Sequence, residues 1–216
     1  GTAFYAKNNT ETKNFGTITS FDHTVKIVSG SNQYSGHFLN SGTITARNTG
    51  GTAIEFESGD SVLELRNNSK VTGKIDGGAG ENIFVSSGNV TFDEMNNFSK
   101  IVSSGNSVIN GTVNLRPAAD ADIYYTGAFS NAKSISADLA ADSSVGDLTI
   151  NGTVNIGVDY DGIDSETAKT GKIIAGSVVM NNGKIVLTNA GNTTKSIIDE
   201  AMQTSDKTQV RIKNII

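Results

Sequence analysis

The chain has 216 residues with 18% charged residues, a net charge of −5, 24 Gly, 1 Pro and no Cys. The lack of cysteine excludes disulfides, Cys-ligated zinc and thiol catalysis, and an acidic chain without a Lys/Arg run does not suit a nucleic-acid partner. No apolar stretch has the roughly 18 residues that a membrane-spanning helix needs. The sequence opens at GTAF without an initiator Met, so we expect a segment of a longer chain.

Direct copies of short motifs recur along the chain. The tetrapeptide GTIT occurs at 16–19 and 42–45, and the hexapeptide INGTVN occurs at 109–114 and again at 150–155. Such repeats are typical of solenoids, because one unit cannot bury its apolar side alone but a stack of units can. The spacing of the motifs predicts a structural unit of about 20 residues that is sometimes skipped or extended.

Short runs such as SVLELR and NIFVS lie between corners rich in Gly and Asn, and they alternate apolar with polar residues. This period of two predicts strands with one buried side, and their tight spacing leaves no room for crossover helices. The sequence therefore predicts an all-β fold, a parallel β-helix over residues 1–191 with about ten coils and a length on the order of 50 Å. An antiparallel sandwich is the alternative, since it also consists of closely spaced short strands.

Glycines mark the predicted corners. A loose apolar-x-Gly-x-apolar pattern occurs in VTGKI, in both copies of INGTV and in IAGSV, and GGAGENIFV forms a Gly-rich corner. That corner approaches the calcium-binding nonapeptide G-G-x-G-x-D-x-U-x, but Asn82 replaces the aspartate and the motif has one copy, whereas such ions are shared between consecutive turns. We predict no metal there. The predicted structural coil glycines are Gly73, Gly77, Gly78, Gly80, Gly111, Gly152 and Gly176.

Residues 157–171 interrupt the coil pattern with the acidic, turn-rich sequence GVDYDGIDSETAKTG. We predict a loop that protrudes from the stack and, since irregular segments commonly carry recognition, a candidate binding loop. Its carboxylates lack the spacing of an EF-hand, so we predict no calcium site. The candidate binding residues are Asp159, Tyr160, Asp161, Asp164 and Glu166.

The C-terminal residues 192–216 follow another pattern. Ile197, Ile198, Ala201 and Met202 recur at helical spacing. This period predicts a short amphipathic helix over 192–207, followed by a final strand. We expect the helix to pack on the solenoid or to cap it.

The chain has two histidines as candidate catalytic bases, His23 and His37. Neither accompanies a G-x-S-x-G elbow or an H-E-x-x-H zinc pair. We therefore predict that both are surface or corner residues without a catalytic role.

Carboxylates and aromatic residues offer the alternative of an enzyme that acts on polysaccharide. Asp60 with Glu64, or the carboxylates of the predicted loop, would form the acid pair that glycoside chemistry uses. Tyr124, Tyr125 and Phe129 form the chain's aromatic cluster. We expect these three on a buried or partner-facing edge rather than in a sugar-binding groove.

Residues 40–88 contain five motifs in a fixed order: an NxGxI segment, a GxAI strand, a strand opened by Gly-Asp, a coil with a central Gly, and a D-G-G-x-G corner. They lie at Asn40–Ile44, Gly51–Ile54, Gly59–Leu65, Val71–Ile75 and Asp76–Asn82. In this order they resemble the adhesin-like repeat region of bacterial autotransporter (type V secretion) passenger domains. Weaker echoes extend the resemblance to about residue 190.

The resemblance implies a right-handed parallel β-helix that is exported through the outer membrane by a C-terminal β-barrel outside this segment. It implies a non-catalytic adhesin or adhesin stalk at the bacterial cell surface, without a cofactor, whose partner is a host-cell or bacterial surface protein or glycan. We expect a monomer whose open N-terminal end stacks end to end or frays. The alternatives are a polysaccharide-acting β-helix enzyme and the stalk of a toxin- or protease-bearing autotransporter.

Overall fold

The computed structural model describes residues 1–7, 11–28, 36–103, 105–117, 147–159 and 169–189, and these ranges contain strands but no helix. The strands are β1 (Phe4–Lys7), β2 (Glu11–Asn14), β3 (Thr17–Ser20), β4 (His23–Val28), β5 (Gly36–Asn40), β6 (Thr43–Ala46), β7 (Thr52–Phe56), β8 (Ser61–Arg66), β9 (Lys70–Asp76), β10 (Asn82–Ser87), β11 (Val90–Phe98), β12 (Lys100–Ser103), β13 (Ser107–Ile109), β14 (Thr112–Leu115), β15 (Asp147–Ile150), β16 (Thr153–Asp159), β17 (Lys169–Thr170), β18 (Lys172–Ala175), β19 (Ser177–Met180) and β20 (Lys184–Asn189).

Strand pairing sorts these strands into three stacks, which we call the first, second and third face. The first face contains β3, β6, β13, β15, β19 and the first halves of β9 and β11. The second contains β1, β4, β7, β14, β16, β20 and the second halves of β9 and β11. The third is a separate six-stranded sheet of β2, β5, β8, β10, β12 and β18. Because β9 and β11 bend across a corner, the first two faces and β17, which pairs with β16, form one 14-stranded sheet.

In the described ranges the chain visits the faces in a repeating order, from the second to the third, then to the first and back to the second, except that β14 on the second face is followed by β15 on the first. Each strand pairs in parallel with its counterpart in the next turn: Ile54 pairs with Ile75, 21 residues later, and Phe92 pairs with Ile109, 17 residues later. Among the described strands, β16 and β17 form the one antiparallel pair. This winding is consistent with a parallel β-helix and overturns the alternative of an antiparallel sandwich for the described ranges.

Inward-pointing side chains form continuous files through the stack. On the third face, Phe38, Leu63, Phe84 and Ile101 occupy successive rungs, and all four are fully buried. The ring of Phe84 lies 4.8 Å from that of Phe92 on the first face, measured between centroids. The interior is thus filled from all sides by large apolar side chains, which supplies the hydrophobic stabilisation that one coil lacks.

The two copies of INGTVN lie on adjacent rungs. Ile109 pairs with Ile150, and Val113 pairs with Val154, so each copy sits directly on its counterpart. Between the copies the chain contains residues 118–146, which lie outside the described ranges. The predicted unit of about 20 residues is therefore extended here, since copies 41 residues apart in sequence lie on neighbouring rungs.

The predicted all-β fold is confirmed for the described ranges. On the second face eight rungs are described, which corresponds to a length of about 34 Å at the usual strand spacing. The predicted helix and final strand within 192–216 lie outside the described residues and stay predictions. In the described part, no helix is long and apolar enough to cross a membrane.

Candidate interaction surface

The outward side of the second face carries a cluster of opposite charges on its first rungs. The Nζ atom of Lys26 lies 3.1 Å from Oε1 of Glu55 and 3.6 Å from Oε1 of Glu57, and Nδ1 of His23 lies 3.5 Å from Oε2 of Glu55. The hydrogen bond to Glu55 raises the pKa of Lys26 above its ordinary value, although partial burial opposes this. Partly exposed pairs of this kind contribute about 0–1 kcal/mol each, so the cluster chiefly defines a charged surface.

Further along the second face, exposed asparagines form a hydrogen-bonded ladder. The side chain of Asn155 donates from Nδ2 to Oδ1 of Asn114 at 2.6 Å, and Asn114 donates in the same way to Asn96 at 2.5 Å. Because these residues occupy equivalent positions on stacked rungs, their amides are one strand spacing apart and bond along the rod.

A second ladder runs along the corner between the first and second faces. Asn181 donates from Nδ2 to Oδ1 of Asn151, and Asn151 donates to Asn110, both at 3.0 Å. The first asparagine of INGTVN (Asn110 and Asn151) belongs to this corner ladder. The second asparagine (Asn114 and Asn155) belongs to the ladder on the second face. The sequence analysis placed asparagines at corners and did not predict which side chains bond to each other, although their identical positions in copied motifs indicated it.

The outward side of the first face begins with paired threonines. Thr17 pairs with Thr43, and Thr19 pairs with Thr45, and all four hydroxyls lie on an exposed or half-buried side of the sheet. Together with the charge cluster and the ladders, they form what we call the polar surface, the outward sides of the first and second faces. It presents donors and acceptors at a regular spacing, which suits recognition through many hydrogen bonds and bridging waters.

The outward side of the third face is chemically different. Val62, Val85 and Val102 alternate with the inward file and lie outside the cluster that fills the interior, yet they are 1%, 0% and 0% exposed. Leu39 and Ile83 in the same outward layer are also buried. The third face therefore carries a second apolar layer on its outer side, which the sequence analysis did not predict.

Glu64 lies in this outer layer and is buried with fixed partners. Nε2 of His37 lies 3.2 Å from its Oε2, and Arg66 donates from Nε to its Oε1 at 2.5 Å and contacts it through Nη2 as well. Burial by itself would raise the pKa of Glu64, but the hydrogen bonds with His37 and Arg66 outweigh it and lower the pKa. The carboxylate is therefore ionised at neutral pH although it is nearly inaccessible to water.

The two histidines differ from each other. His23 is exposed at the start of β4, as predicted. The prediction of a surface or corner position is wrong for His37, which is buried within β5. Its side chain points outward from the sheet, but the outer side of this face is covered, and alternation in a strand does not reveal such a cover.

The carboxylates considered for glycoside chemistry have separate partners. Oδ1 of Asp60 accepts a hydrogen bond from the backbone N–H of Glu81 at 2.8 Å, whereas Glu64 is held by His37 and Arg66. The two carboxylates are thus used in different structural contacts. Within the described ranges, no group of three His, Asp or Glu side chains is placed to hold a metal ion.

The Gly-rich corner after β9 is a compact turn held by side-chain amides and a carboxylate. Oδ1 of Asp76 accepts from the N–H of Gly78 at 2.9 Å and from Nδ2 of Asn97 at 2.7 Å. Asn82 donates from Nδ2 to the carbonyls of Asn97 and Gly80 at 3.0 and 3.3 Å. Gly78 and Gly80 have positive φ values of 67° and 97°, and a Cβ at either position would overlap the backbone of the preceding turn, so both positions favour glycine. The motif lies at the turn between β9 and β10.

The other predicted coil glycines occupy more than one corner. Gly73, with φ of 111°, bends β9 between the first and second faces, and Gly77 follows the end of β9. Gly111 and Gly152 stack on each other, and a Cβ at Gly152 would overlap the carbonyl of Gly111. Gly176 breaks this series, because it lies between β18 and β19, at the corner from the third to the first face.

The glycine that continues the stack after Gly152 is Gly183. Its following residue Lys184 pairs with Thr153, and a Cβ at Gly183 would overlap the carbonyl of Ile150. The motif IAGSV therefore resembles INGTV in its letters but serves a different corner. A short sequence motif does not show at which corner it lies, since every corner needs small residues where backbones approach closely.

The predicted binding loop is described only at its base. Asp159 ends β16 and pairs with Lys169 of β17, where the two strands run antiparallel. The other candidate residues lie outside the described ranges: Tyr160, Asp161, Asp164 and Glu166. The same holds for the aromatic cluster of Tyr124, Tyr125 and Phe129. Their predicted roles stay predictions.

Comparison with known proteins gives no relative for this fold and surface. No protein-family model, curated protein or solved structure matches the chain.

Proposed function

We propose that this chain is a non-catalytic segment of a bacterial autotransporter passenger domain, displayed at the cell surface, where it acts as an adhesin or as the rigid stalk of one. The observation that carries the proposal is the polar surface, which runs along two faces of a parallel stack and offers regular amides, hydroxyls and charges. A partner with repeated polar groups, such as a surface protein or glycan of a host cell or a neighbouring bacterium, suits such a surface.

The placement of the five autotransporter-like motifs supports the proposal. Asn40–Ile44 spans the corner from β5 to β6, and Gly51–Ile54 enters β7. Gly59–Leu65 enters β8, Val71–Ile75 lies in β9, and Asp76–Asn82 forms the corner before β10. Each motif therefore occupies the next side of the stack in winding order, so their order in the sequence has a structural reason.

The handedness of the coil and the C-terminal helix are part of the same proposal. We expect a right-handed coil, because crossovers between parallel strands are right-handed in nearly all known cases. We also expect the helix over 192–207 to pack on the solenoid. A cysteine-free chain whose turns fold one on another suits export in an unfolded state followed by folding outside the cell. In this proposal the segment needs no cofactor and meets the membrane only through a barrel elsewhere in the full protein.

The test is attachment by bacteria that display the segment. A non-adherent strain would present the whole chain through a fused outer-membrane barrel, and attachment to host-cell monolayers and to other bacteria would be counted. We expect attachment to fall when Glu55→Lys and Glu57→Lys reverse the charge cluster, or when a Gly-Ser linker replaces 160–168. Surface antibody staining controls for equal display.

Three outcomes of this experiment distinguish an adhesin, a stalk and an enzyme. Attachment that falls in either variant supports an adhesin. No attachment by the intact segment, while it still extends an unrelated binding module away from the cell, supports a stalk. Release of sugars from a polysaccharide by the purified chain would overturn the non-catalytic proposal.

A further inference from the structure

The corner between the first and second faces collects the Asn-Gly pairs of the chain. The sequence contains three such pairs, and all three lie at this corner: Asn110-Gly111, Asn151-Gly152 and Asn182-Gly183. An asparagine followed by glycine is the least hindered substrate for deamidation, because glycine has no Cβ to obstruct the attack of its backbone nitrogen on the asparagine side chain. The stack therefore sets the same reactive pair at one corner on three successive rungs.

The third of these corners is one residue longer than the other two. Two residues join β13 to β14 and β15 to β16, but three residues join β19 to β20. Asn181 takes the position of Asn151, and Lys184 pairs with Thr153, so Asn182 is the additional residue. Its φ of 58° lies in the left-handed region, which asparagine tolerates better than most residues.

This additional residue lies outside the corner ladder of Asn110, Asn151 and Asn181. The amide of Asn151 is held on both sides, because Nδ2 donates to Asn110 and Oδ1 accepts from Asn181, both at 3.0 Å. Asn110 makes one of these bonds, as the acceptor. The exposed side chain of Asn182 has no counterpart on the rung below, and it makes no hydrogen bond to the part of the chain that the structure describes.

We infer that Asn182 is a site of spontaneous deamidation, and that the corner ladder protects Asn151 fully and Asn110 in part. In this reaction the backbone nitrogen of Gly183 loses its proton and bonds to Cγ of Asn182, the Cγ–Nδ2 bond breaks, and the nitrogen leaves as ammonia. Water then opens the succinimide at either carbonyl, which gives aspartate or isoaspartate. The inference does not depend on the proposed function, because it concerns the chain's own chemistry.

The ladder sets the order of the rates. The attack requires the side chain to turn its Cγ toward the next backbone nitrogen, so an amide that is bonded to neighbouring rungs must first break those bonds. Each hydrogen bond of ordinary strength slows this step by about fivefold. We therefore expect Asn182 to react fastest, Asn110 about fivefold more slowly and Asn151 about 25-fold more slowly.

The product changes the polar surface. Deamidation replaces a neutral amide by a carboxylate at its edge, two residues before the exposed Lys184. Isoaspartate also adds one methylene to the backbone directly before β20. An aged chain therefore carries one more negative charge on this corner and a longer connection between β19 and β20.

The test is peptide mapping of the intact chain after incubation at mildly alkaline pH. Lys133 and Lys169 lie between the pairs, so trypsin releases each pair in a separate peptide, and fragmentation by mass spectrometry locates the converted residue. Enzymatic methylation of isoaspartate identifies the product. Conversion at Asn182 before Asn110, with Asn151 last, is the expected result. Conversion of Asn151 as fast as Asn182 would overturn the inference.

The two INGTVN copies provide the control for sequence effects. Asn110 and Asn151 have the same neighbours in sequence, so their rates should become equal in urea, where the ladder is lost. A difference between them that persists in urea would show that the ladder is not its cause, and would overturn the protection that we infer.

One substitution in each ladder separates the effect of the corner ladder from that of a general loosening. Asn110→Ala removes the acceptor of Asn151 and should speed deamidation at Asn151 by about fivefold, with the rate at Asn182 unchanged. Asn114→Ala, in the ladder of the second face, should leave both rates unchanged. An unchanged rate at Asn151 in Asn110→Ala, or an equal increase in both variants, would contradict protection by the corner ladder.

Discussion

The third face and the polar surface share one backbone arrangement but meet different surroundings. Both have parallel strands whose inward side chains fill a common interior. On their outward sides one face carries buried valines and the others carry exposed amides, hydroxyls and charges. The comparison shows that the inward file specifies the fold, whereas the outward file specifies what each face contacts.

The same comparison applies to charges. Glu64 on the third face is buried and has fixed partners in His37 and Arg66, whereas Lys26 on the second face pairs with Glu55 at a partly exposed site. Buried charges must keep their partners, because an unpaired charge away from water is costly, while exposed pairs exchange partners with water and salt. We therefore expect the third face to be structurally fixed and the second to be open to binding.

The largest loss of stability should come from substituting the inward-pointing side chains, which are buried on all faces. Phe84→Ala on the third face and Phe92→Ala on the first should each lower the free energy of unfolding by about 3–5 kcal/mol, because each removes a fully buried ring and leaves a cavity. Urea denaturation followed by circular dichroism measures both. A cost below about 1 kcal/mol for either variant would contradict a common interior.

The next effect distinguishes the buried charge from the exposed ones. Glu64→Gln should lower the free energy of unfolding by about 2 kcal/mol at pH 7, since the charged hydrogen bonds to His37 and Arg66 are lost. The pKa of Glu64 is lowered in the folded protein, so its contribution is present above the unfolded pKa and disappears as pH falls through the folded value. The difference between wild type and variant should therefore shrink below about pH 4.

The control for this charge is Glu57→Gln, at an exposed position of the second face. Its cost should stay within about 0.5 kcal/mol at pH 7. A Glu64→Gln difference that is independent of pH from neutral to strongly acidic conditions would show that the ionised carboxylate is not the stabilising species.

A smaller effect on stability is expected from substitutions on the outward sides of the third and first faces. Val85→Ala should cost about 1–2 kcal/mol, because two buried methyl groups are lost. Val179→Ala should change stability by less than about 0.5 kcal/mol, since that side chain is already partly in water. Thermal and urea denaturation of both variants measure this. Equal costs would remove the distinction between the faces.

The smallest effect concerns the exposed ladder. Asn114 is both donor to Asn96 and acceptor from Asn155, so Asn114→Ala should cost about 0.5–1 kcal/mol. Asn155→Ala removes one of these bonds and should cost about half as much. Differences in urea midpoint at constant slope measure the two. A stability gain in Asn114→Ala would show that the ladder serves recognition at the expense of folding.

Several features of the fold were predictable from local patterns. Alternation in SVLELR and NIFVS marked β8 and β10, and the copied INGTVN marked two stacked rungs. The Gly-rich corner at Gly78 and Gly80 was predictable because positive φ favours glycine. These features depend on residues close in sequence or on identical copies, which a pattern search detects directly.

Other features were not predictable, because they depend on contacts between distant segments. His37 and Glu64 meet across 27 residues, and neither neighbouring sequence reveals the pairing. Gly183 rather than Gly176 continues the corner above Gly152, since the choice depends on the register of β16 with β20. The burial of Val85 depends on what lies over its face, which alternation within one strand does not record.

The sequence by itself determined the all-β class, the repeating unit, the turning corners and the polar character of the exposed ladders. These follow from local preferences and from the period of two in a strand. The tertiary structure decided between the parallel stack and the antiparallel sandwich, and it alone showed the three faces and the buried outer side of the third face. The physical reason is that register and burial are properties of strands brought together in space, so they are fixed by which turn stacks on which and not by any one run of residues.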